Sequence, residues 1–292
     1  MKLLLDRDTL KPINSHQGDR MSIFRKSSEL TSKFPLLRVF ALVLVIASGH
    51  NLVSAQTTEK MVTLESRQGT KISYWWMPNQ NAKATVLLLS GGEGGMGYKD
   101  GQPRNGNFLI RSRDLFFRND MNVAILGNPT DKPRLDHQWR VSAQHAQDVS
   151  AVIDSLKVNS NVPLWLVGTS NGTISATALG IALPDKVQGL VLTASVLTWK
   201  IPQAVPRQDV GKISAPVLFY HHKEDSCAGT LAYELPGTVD RFTNSKQKKM
   251  MIVTGGENPQ GDPCQAFHWH GFIGMETQAV NDIAAWIFSQ QP

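Results

Sequence analysis

Long hydrophobic runs, internal repeats and compositional bias are all missing from this sequence of 292 residues. The apolar run at residues 39–47 is too short for a bilayer-spanning helix, which needs roughly 20 residues. No low-complexity tract, heptad array or fixed-period repeat is visible, which argues against coiled coils, solenoids and disordered chains. A hydrophobic content of 41% is enough for a full-sized core, so we expect a globular protein with one large domain or two small ones.

Residues 1–55 have the pattern of a secretory signal. Basic residues precede the apolar run at 39–47, and Val53 and Ala55 occupy the small-residue positions of a cleavage site. We therefore predict a cleaved signal peptide over 1–55 and an exported catalytic domain over 56–292, periplasmic or secreted. An uncleaved anchor is the alternative, and Met21 is a second possible start. No cysteine directly follows the apolar run, so there is no residue there to accept a lipid.

Strong positive charge is also lacking once this segment is set aside. Residues 1–55 contain eight Lys/Arg and four Asp/Glu, so 22 basic and 20 acidic residues remain and the formal net charge falls from +6 to +2. No cluster of basic residues with interleaved aromatics is left to form a nucleic-acid surface. We expect no nucleic-acid partner and, after cleavage, no stable membrane span.

What the sequence does contain is an alternation of short apolar strands and helical stretches. The strands are predicted at residues 61–66, 71–76, 85–89, 122–127, 164–168, 188–194, 215–220 and 249–254. The helices are predicted near residues 107–118, 142–157, 172–183 and 276–289. The first two strands, joined by "RQGT", predict an antiparallel hairpin, and the later alternation predicts a mostly parallel α/β sheet of one domain.

The stretch "LVGTSNGTISATALG" places one serine, Ser170, between Gly168 and Gly172 at a strand-to-helix junction. A nucleophile that must stand clear of a sheet edge can sit on such a sharp turn, where its neighbours two residues away must be small. The N-terminus of the following helix would favour negative charge beside the serine. The simpler alternative is an ordinary turn with a chance G-x-S-x-G pattern.

Candidates for an orienting acid and a base follow in the chain order typical of such serines. Asp225 lies in "HHKEDSC", directly after a predicted strand. The last predicted strand is followed by a loop that ends in "HWHGF", which contains His268 and His270.

Together with the glycine-rich "LLLSGGEGG", these segments resemble the α/β-hydrolase superfamily, specifically a small secreted bacterial serine hydrolase of the esterase type. The resemblance covers residues 61–289. It implies an eight-stranded, mostly parallel sheet flanked by helices. One departure is that Ser90-Gly91 stands where many esterases carry His-Gly.

The resemblance also implies roles for individual residues. Ser170 would be the nucleophile, His270 the general base and then acid, and Asp225 the group that orients the imidazole. The backbone N–H groups of Gly92 and Asn171 would hold the oxyanion.

Each assignment has an alternative. His268 could be the base, although Gly271-Phe272 after His270 resembles the usual sequence. Glu224 could replace Asp225, and Glu93 could donate the oxyanion N–H if the loop is shifted by one residue. The glycines at 92, 94 and 97 also fit a dinucleotide fingerprint, but glycines and a proline interrupt any helix after them, so no cofactor is expected.

Cysteine is scarce, with only Cys227 and Cys264 present. In an exported chain a disulfide between them is the leading interpretation. Such a bond would join the loop of the acid to the loop of the base. The alternatives are two free thiols, or a metal site of Cys264, His268 and His270, although zinc-finger spacing is absent and no metal is expected.

Only about twenty residues separate the predicted strands that end near Ser195 and begin at Ala215, too few for a helical cap. We therefore expect an open cleft, a small-molecule acyl substrate and hydrolysis of a carboxylic ester through an acyl-enzyme. An amidase or aminopeptidase that uses Glu93 to bind an amine, a thioesterase, and a non-catalytic binding protein are the alternatives, because the fold alone does not choose among them.

Overall fold

A large β-sheet organises residues 58–291, the part of the chain that this computed structural model describes. In chain order, the described strands are β1 (Lys60–Arg67), β2 (Thr70–Met77), β3 (Ala84–Leu89), β4 (Tyr98–Lys99), β5 (Gln102–Pro103), β6 (Met121–Leu126), β7 (Leu164–Thr169), β8 (Gly189–Thr193), β9 (Val217–His222) and β10 (Lys248–Val253). Eight of them form one sheet in the order β1-β2-β6-β3-β7-β8-β9-β10, and β4 pairs with β5 in a separate ribbon.

Seven α-helices accompany the strands in the described residues, six between strands and one after β10. They are α1 (Phe108–Arg111), α2 (Arg113–Arg118), α3 (His137–Arg140), α4 (Ala143–Asn159), α5 (Asn171–Ala182), α6 (Leu235–Asp240) and α7 (Glu276–Ser289). The helix predicted near 107–118 is divided at Ser112, and the short helices α3 and α6 were not predicted. The other three predicted helices are present.

The pairing of the strands agrees with the prediction from the sequence. β1 and β2 form an antiparallel hairpin, whose turn contains Gly69 at a positive φ of 70°. β2 is also antiparallel to β6, and every other pair in the large sheet is parallel. The predicted eight-stranded, mostly parallel α/β sheet is therefore confirmed.

Alternate residues of the central strands pack into two hydrophobic layers. In β3, Val86 and Leu88 face the layer formed with α1, α2 and α7, while Leu87 and Leu89 face the layer formed with α4, α5 and α6. All six residues of β3 are buried, as expected for a parallel strand covered on both faces. This double covering holds the carboxyl ends of β3, β7 and β9 in fixed positions at one edge of the sheet.

No cap covers that edge within the described residues. Between β8 and β9 the chain forms only two short 3₁₀ turns, Val205–Arg207 and Val210–Lys212. The prediction of little or no cap is confirmed.

The predicted signal peptide, residues 1–55, lies outside the described residues, so this prediction and the domain boundary at residue 56 stay predictions. No helix in residues 58–291 is long and apolar enough to cross a membrane.

Candidate active site

Ser170 stands on a sharp turn between β7 and α5. Its φ of 52° and ψ of −127° are unfavourable for a residue with a side chain. The flanking glycines make the turn possible: a Cβ on Gly168 would lie 2.6 Å from the carbonyl oxygen of Gly172, and a Cβ on Gly172 would clash with the carbonyl oxygen of Leu89. The strand-turn-helix predicted from "GTSNG" is therefore present, and it presents the serine at the carboxyl edge of the sheet.

Asp225 and His270 form a buried pair beside this edge. Oδ2 of Asp225 lies 2.9 Å from Nδ1 of His270. The same carboxylate accepts hydrogen bonds from the hydroxyl of Thr230 at 2.8 Å and from the backbone N–H of Cys227 at 3.0 Å. These contacts fix the carboxylate against one nitrogen of the imidazole and leave Nε2 on the opposite side of the ring.

The residues considered as alternatives lie elsewhere. Half of the Glu224 side chain is exposed, and its carboxylate lies 3.3 Å from Nδ1 of His222 rather than against His270. His268 contacts the edge of Trp269, and its buried Nδ1 has no partner among the described residues. The structure thus brings together Asp225 and His270, and it does not bring Glu224 to either candidate base.

A cleft of about 340 Å³ opens in front of Ser170 and His270, which both line it. Within residues 58–291, neither the Ser170 hydroxyl nor Nε2 of His270 makes a hydrogen bond. A serine hydroxyl and a histidine without a partner at Nε2 in the described residues therefore border the same cleft.

The glycine-rich loop after β3 forms the wall of the cleft nearest to Ser170. A Cβ on Gly91 would lie 2.9 Å from Cβ of Ser170, so only a glycine allows this approach. The N–H of Gly94 donates to the carbonyl of Gly91, which fixes the peptide that carries the Gly92 N–H. In the described part of the chain the N–H groups of Gly92, Glu93 and Asn171 have no acceptor, so Gly92 and Glu93 both stay open as partners of Asn171 in an oxyanion site.

The carbonyl of Gly92 is held from two directions. The side-chain amide of Asn171 donates to it at 3.0 Å, and the guanidinium of Arg140 donates to it at 3.1 Å. His137 in turn holds the Asn171 side chain, with Nε2 3.1 Å from Oδ1. The two segments that carry the candidate oxyanion donors are therefore fastened directly to each other.

Arg140 is a buried cation below this loop. Besides Gly92, it contacts the carbonyl of Ser90 and the hydroxyl of Ser175, and only 1% of the residue is exposed. Burial lowers the pKa of Arg140 to about 10, which leaves the guanidinium charged at neutral pH, although no carboxylate is hydrogen-bonded to it in the described residues. His145 shares the Ser175 hydroxyl, and burial together with the Arg140 charge lowers the pKa of this histidine to about 3.

Cys227 and Cys264 form a disulfide, with a sulfur–sulfur distance of 2.03 Å. The alternatives of free thiols and of a metal site using Cys264 are therefore wrong. No group of His, Cys, Asp or Glu side chains in residues 58–291 is arranged to hold a metal ion. The glycine loop leads into the β4–β5 ribbon rather than into a helix, unlike a dinucleotide site.

Three residues of the site were not recognised from the sequence. Thr230 has no distinguishing neighbours, and Arg140 in "DHQWRV" resembles any solvated arginine. Asn107 lines the cleft, but in the sequence it stands only at the start of the helix predicted near 107–118. The only available signal was the N-cap position of Asn107, which indicates a helix start and not a site.

No protein-family model matches the chain, and no curated protein matches it. Several solved structures have a similar fold. An esterase from Pyrococcus furiosus is 13% identical, with a TM-score of 0.60, and the match covers 81% of this chain and 92% of that one. A dienelactone hydrolase from Anabaena variabilis is 15% identical, with a TM-score of 0.57 and coverage of 80% and 98%. An α/β serine hydrolase without lid from Xanthomonas campestris is 15% identical, with a TM-score of 0.54 and coverage of 78% and 95%.

These similarities identify the fold. The chain has the α/β-hydrolase fold without an evident cap in its described residues, as the motif order in the sequence implied. At identities of 15% or less the similarity extends to the fold and not to a substrate.

Proposed function

We propose that this protein is an exported serine hydrolase that cleaves a carboxylic ester through an acyl-enzyme intermediate. The observation that carries the proposal is that Ser170 and His270 line one cleft with the hydroxyl and Nε2 unpaired among residues 58–291, while Asp225 binds the other ring nitrogen. A serine, an imidazole and a carboxylate in these relations are the groups that nucleophilic acyl transfer requires.

The proposed reaction proceeds in two halves. Ser170 Oγ attacks the acyl carbon as its proton passes to Nε2 of His270, and the protonated imidazole then gives that proton to the departing alcohol oxygen. Water, activated by the same nitrogen, attacks the acyl-enzyme and releases the acid. Asp225 keeps Nδ1 protonated and the ring oriented during both halves.

Negative charge develops on the substrate oxygen in each half. The N–H of Asn171 and that of Gly92 are the proposed donors to this oxyanion, with Glu93 as the alternative to Gly92. Asn171 is the first residue of α5, so the positive end of the helix dipole adds to the same stabilisation. The fixed Gly91–Gly94 turn supports this role because preorganised donors need no rearrangement during the reaction.

Ester hydrolysis is preferred to the aminopeptidase alternative because of Glu93. Its carboxylate lies at the cleft but is ion-paired with Arg134, so a substrate amine would first have to displace the guanidinium. Two of the similar structures are named as an esterase and a dienelactone hydrolase, which agrees with ester chemistry. The disulfide supports the proposed export, since such bonds persist in oxidising compartments.

The proposal is tested with Ser170→Ala in the mature protein. We expect wild-type protein to hydrolyse short aryl esters and to be labelled by a fluorophosphonate at Ser170. The variant should remain folded, lose labelling and lose kcat by at least about 10⁴-fold, since only binding and the oxyanion donors remain. Full activity in the variant would remove Ser170 from the mechanism, and wild-type protein that neither labels nor turns over would favour a binding protein.

A matched pair of histidine variants tests the base. His270→Ala should abolish turnover, whereas His268→Ala, two residues away, should retain most of it. The reverse result would move the base to His268. Turnover of amino-acid amides in preference to esters by wild-type protein would favour the aminopeptidase alternative.

A further inference from the structure

Asn107 places an unused hydrogen-bond donor beside the nucleophile. A Cβ built on Gly91 would lie 2.9 Å from Cβ of Ser170 and 3.4 Å from Nδ2 of Asn107, so both side chains border the same point of the glycine loop. Asn107 also lines the cleft that contains Ser170 and His270.

The orientation of this amide is fixed by the other side of the same side chain. Oδ1 of Asn107 accepts the N–H of Leu109 at 3.1 Å and thereby caps α1. The backbone N–H of Asn107 donates to the side chain of Asn105 at 2.8 Å. With Oδ1 committed to the helix, Nδ2 is the free end, and in residues 58–291 it makes no hydrogen bond.

The acceptors of a bound ester can be assigned one by one. The carbonyl oxygen accepts hydrogen bonds from the backbone N–H groups of the proposed oxyanion site, and the leaving oxygen receives a proton from Nε2 of His270. A donor beside Ser170 is then left for an acceptor on the acyl group, close to the reacting carbon.

The remaining surface of the cleft also suits a short polar acyl group. Glycines and polar residues, among them Asn105 and Gln265, make up much of the lining. Phe108 belongs to the lining, but only 1% of it is exposed. A long alkyl chain would therefore gain little from burial against these walls.

We propose that the Asn107 amide binds an oxygen on the carbon next to the ester carbonyl. The preferred substrates are then short acyl groups of the α-hydroxy or α-alkoxy type, such as glycolyl, lactyl or methoxyacetyl, rather than alkanoyl groups of equal length. The inference rests on the proposed function and adds the class of its substrate.

The test compares methylumbelliferyl methoxyacetate with methylumbelliferyl butanoate, which have the same chain length and differ by one oxygen in place of a methylene. The ratio of their kcat/KM values is measured for wild-type protein and for Asn107→Ser. Serine keeps a side-chain oxygen that can cap α1 but lacks the amide arm. Intrinsic differences in ester reactivity cancel when the two ratios are compared.

We expect the methoxyacetate to butanoate ratio to fall roughly tenfold in Asn107→Ser, the size of one lost hydrogen bond, with butanoate turnover little changed. Asn107→Asp keeps the helix cap and the side-chain shape but lacks the side-chain N–H, so it should lose the preference as well. It is the second variant to measure if Asn107→Ser does not fold. Gln265→Ser is the control in the same cleft, because the Gln265 side chain makes no hydrogen bond to Asn107 in residues 58–291, and its ratio should stay within twofold of wild type.

An unchanged ratio in both Asn107 variants overturns the inference, as does an equal fall of the ratio in Gln265→Ser. Fluorophosphonate labelling separates this failure from failure of the proposed function. Wild-type protein that is labelled at Ser170 and cleaves both esters without the preference contradicts only the role of Asn107. Protein that is neither labelled nor active contradicts the hydrolase itself.

Discussion

His145 and His221 are buried histidines whose protonated forms are disfavoured by their surroundings. Burial lowers the pKa of His145 to about 3 and that of His221 to about 4. His221, in the strand β9 that leads to Asp225, accepts the N–H of Ser195 at 2.8 Å. Both rings therefore remain neutral in the folded protein at a pH at which the unfolded chain would bind protons.

This difference makes stability depend on pH. With a folded pKa of about 3 against an ordinary value of about 6.5, the contribution of His145 is complete above pH 6.5 and is lost as the pH falls toward 3. We expect the free energy of unfolding of His145→Gln to fall less steeply than that of wild type between pH 6 and pH 4, by about 1.4 kcal/mol per pH unit. Urea denaturation across this range measures both slopes, and parallel curves would contradict the prediction.

At the scale of single residues, the sequence points to a candidate where that residue lies in a recognisable chain pattern. Ser170 and Asp225 follow strands and His270 precedes the last helix, and the structure brings Asp225 to His270 and places Ser170 at the same cleft. Arg140 instead contacts Gly92 and Asn107 lies beside Gly91, and both neighbours are distant in sequence. The residues next to Arg140 and Asn107 in the sequence do not indicate these contacts.

At the scale of elements, α3 and the start of α5 brace the glycine loop. Arg140 is the last residue of α3, and it holds the Gly92 carbonyl from below while Asn171 holds it from the side. In a trans peptide the C=O and N–H point in opposite directions, so this anchor also sets the direction of the Glu93 N–H. Gly92 lies between this peptide and the one fixed by the Gly94 N–H, so the orientation of both candidate donors, Gly92 and Glu93, depends in part on a helix that does not itself line the cleft.

Removal of this brace should lower the rate more than it weakens substrate binding. We predict that Arg140→Met lowers kcat by about 10- to 100-fold with a smaller change in KM, because a small displacement of the oxyanion donors acts mainly on the transition state. Arg140→Lys should recover part of the loss. Steady-state kinetics on a short ester, together with the rate of fluorophosphonate labelling, measure the effect.

Arg134→Met is the matched control for Arg140. Arg134 is exposed and, within residues 58–291, its side chain pairs with Glu93 alone, so its loss should change kcat much less. Equal losses of kcat in the two arginine variants, or a folded Arg140→Met protein with wild-type kcat, would show that Arg140 does not position the loop.

The elements that sequence reasoning missed are those with too little periodicity to detect. α3 has four residues and α6 has six, including Pro236 and Gly237, so neither gives a helical repeat of apolar positions. The central strands were found because complete burial on both faces requires continuous apolar runs such as "ATVLLL". The break between α1 and α2 at Ser112 is a detail of packing that a repeat of apolar residues does not encode.

At the scale of the whole molecule, the disulfide joins the loop that contains Asp225 to the segment that leads to His270. Cys227 lies in the loop after β9, and its N–H donates to Oδ1 of Asp225. Cys264 lies in the loop between β10 and α7, lines the cleft, and precedes His270 by six residues. The bond therefore ties the segment that orients the carboxylate to the segment that carries the imidazole.

Loss of this bond should reduce both stability and rate. Cys227 and Cys264 are 37 residues apart in sequence, and the chain-entropy model assigns a loop of this size about 4 kcal/mol, with less in many engineered cases. Reduction, or the double change Cys227→Ala with Cys264→Ala, is expected to lower the melting temperature and kcat together. The rate should fall because Asp225 and His270 must stay aligned within a fraction of an ångström and both lie in loops. Mass spectrometry of the unreduced mature protein, with melting and activity measured before and after reductant, tests this. Two free thiols in exported material, or unchanged melting and kcat after confirmed reduction, would show that the bond has no part in holding the site.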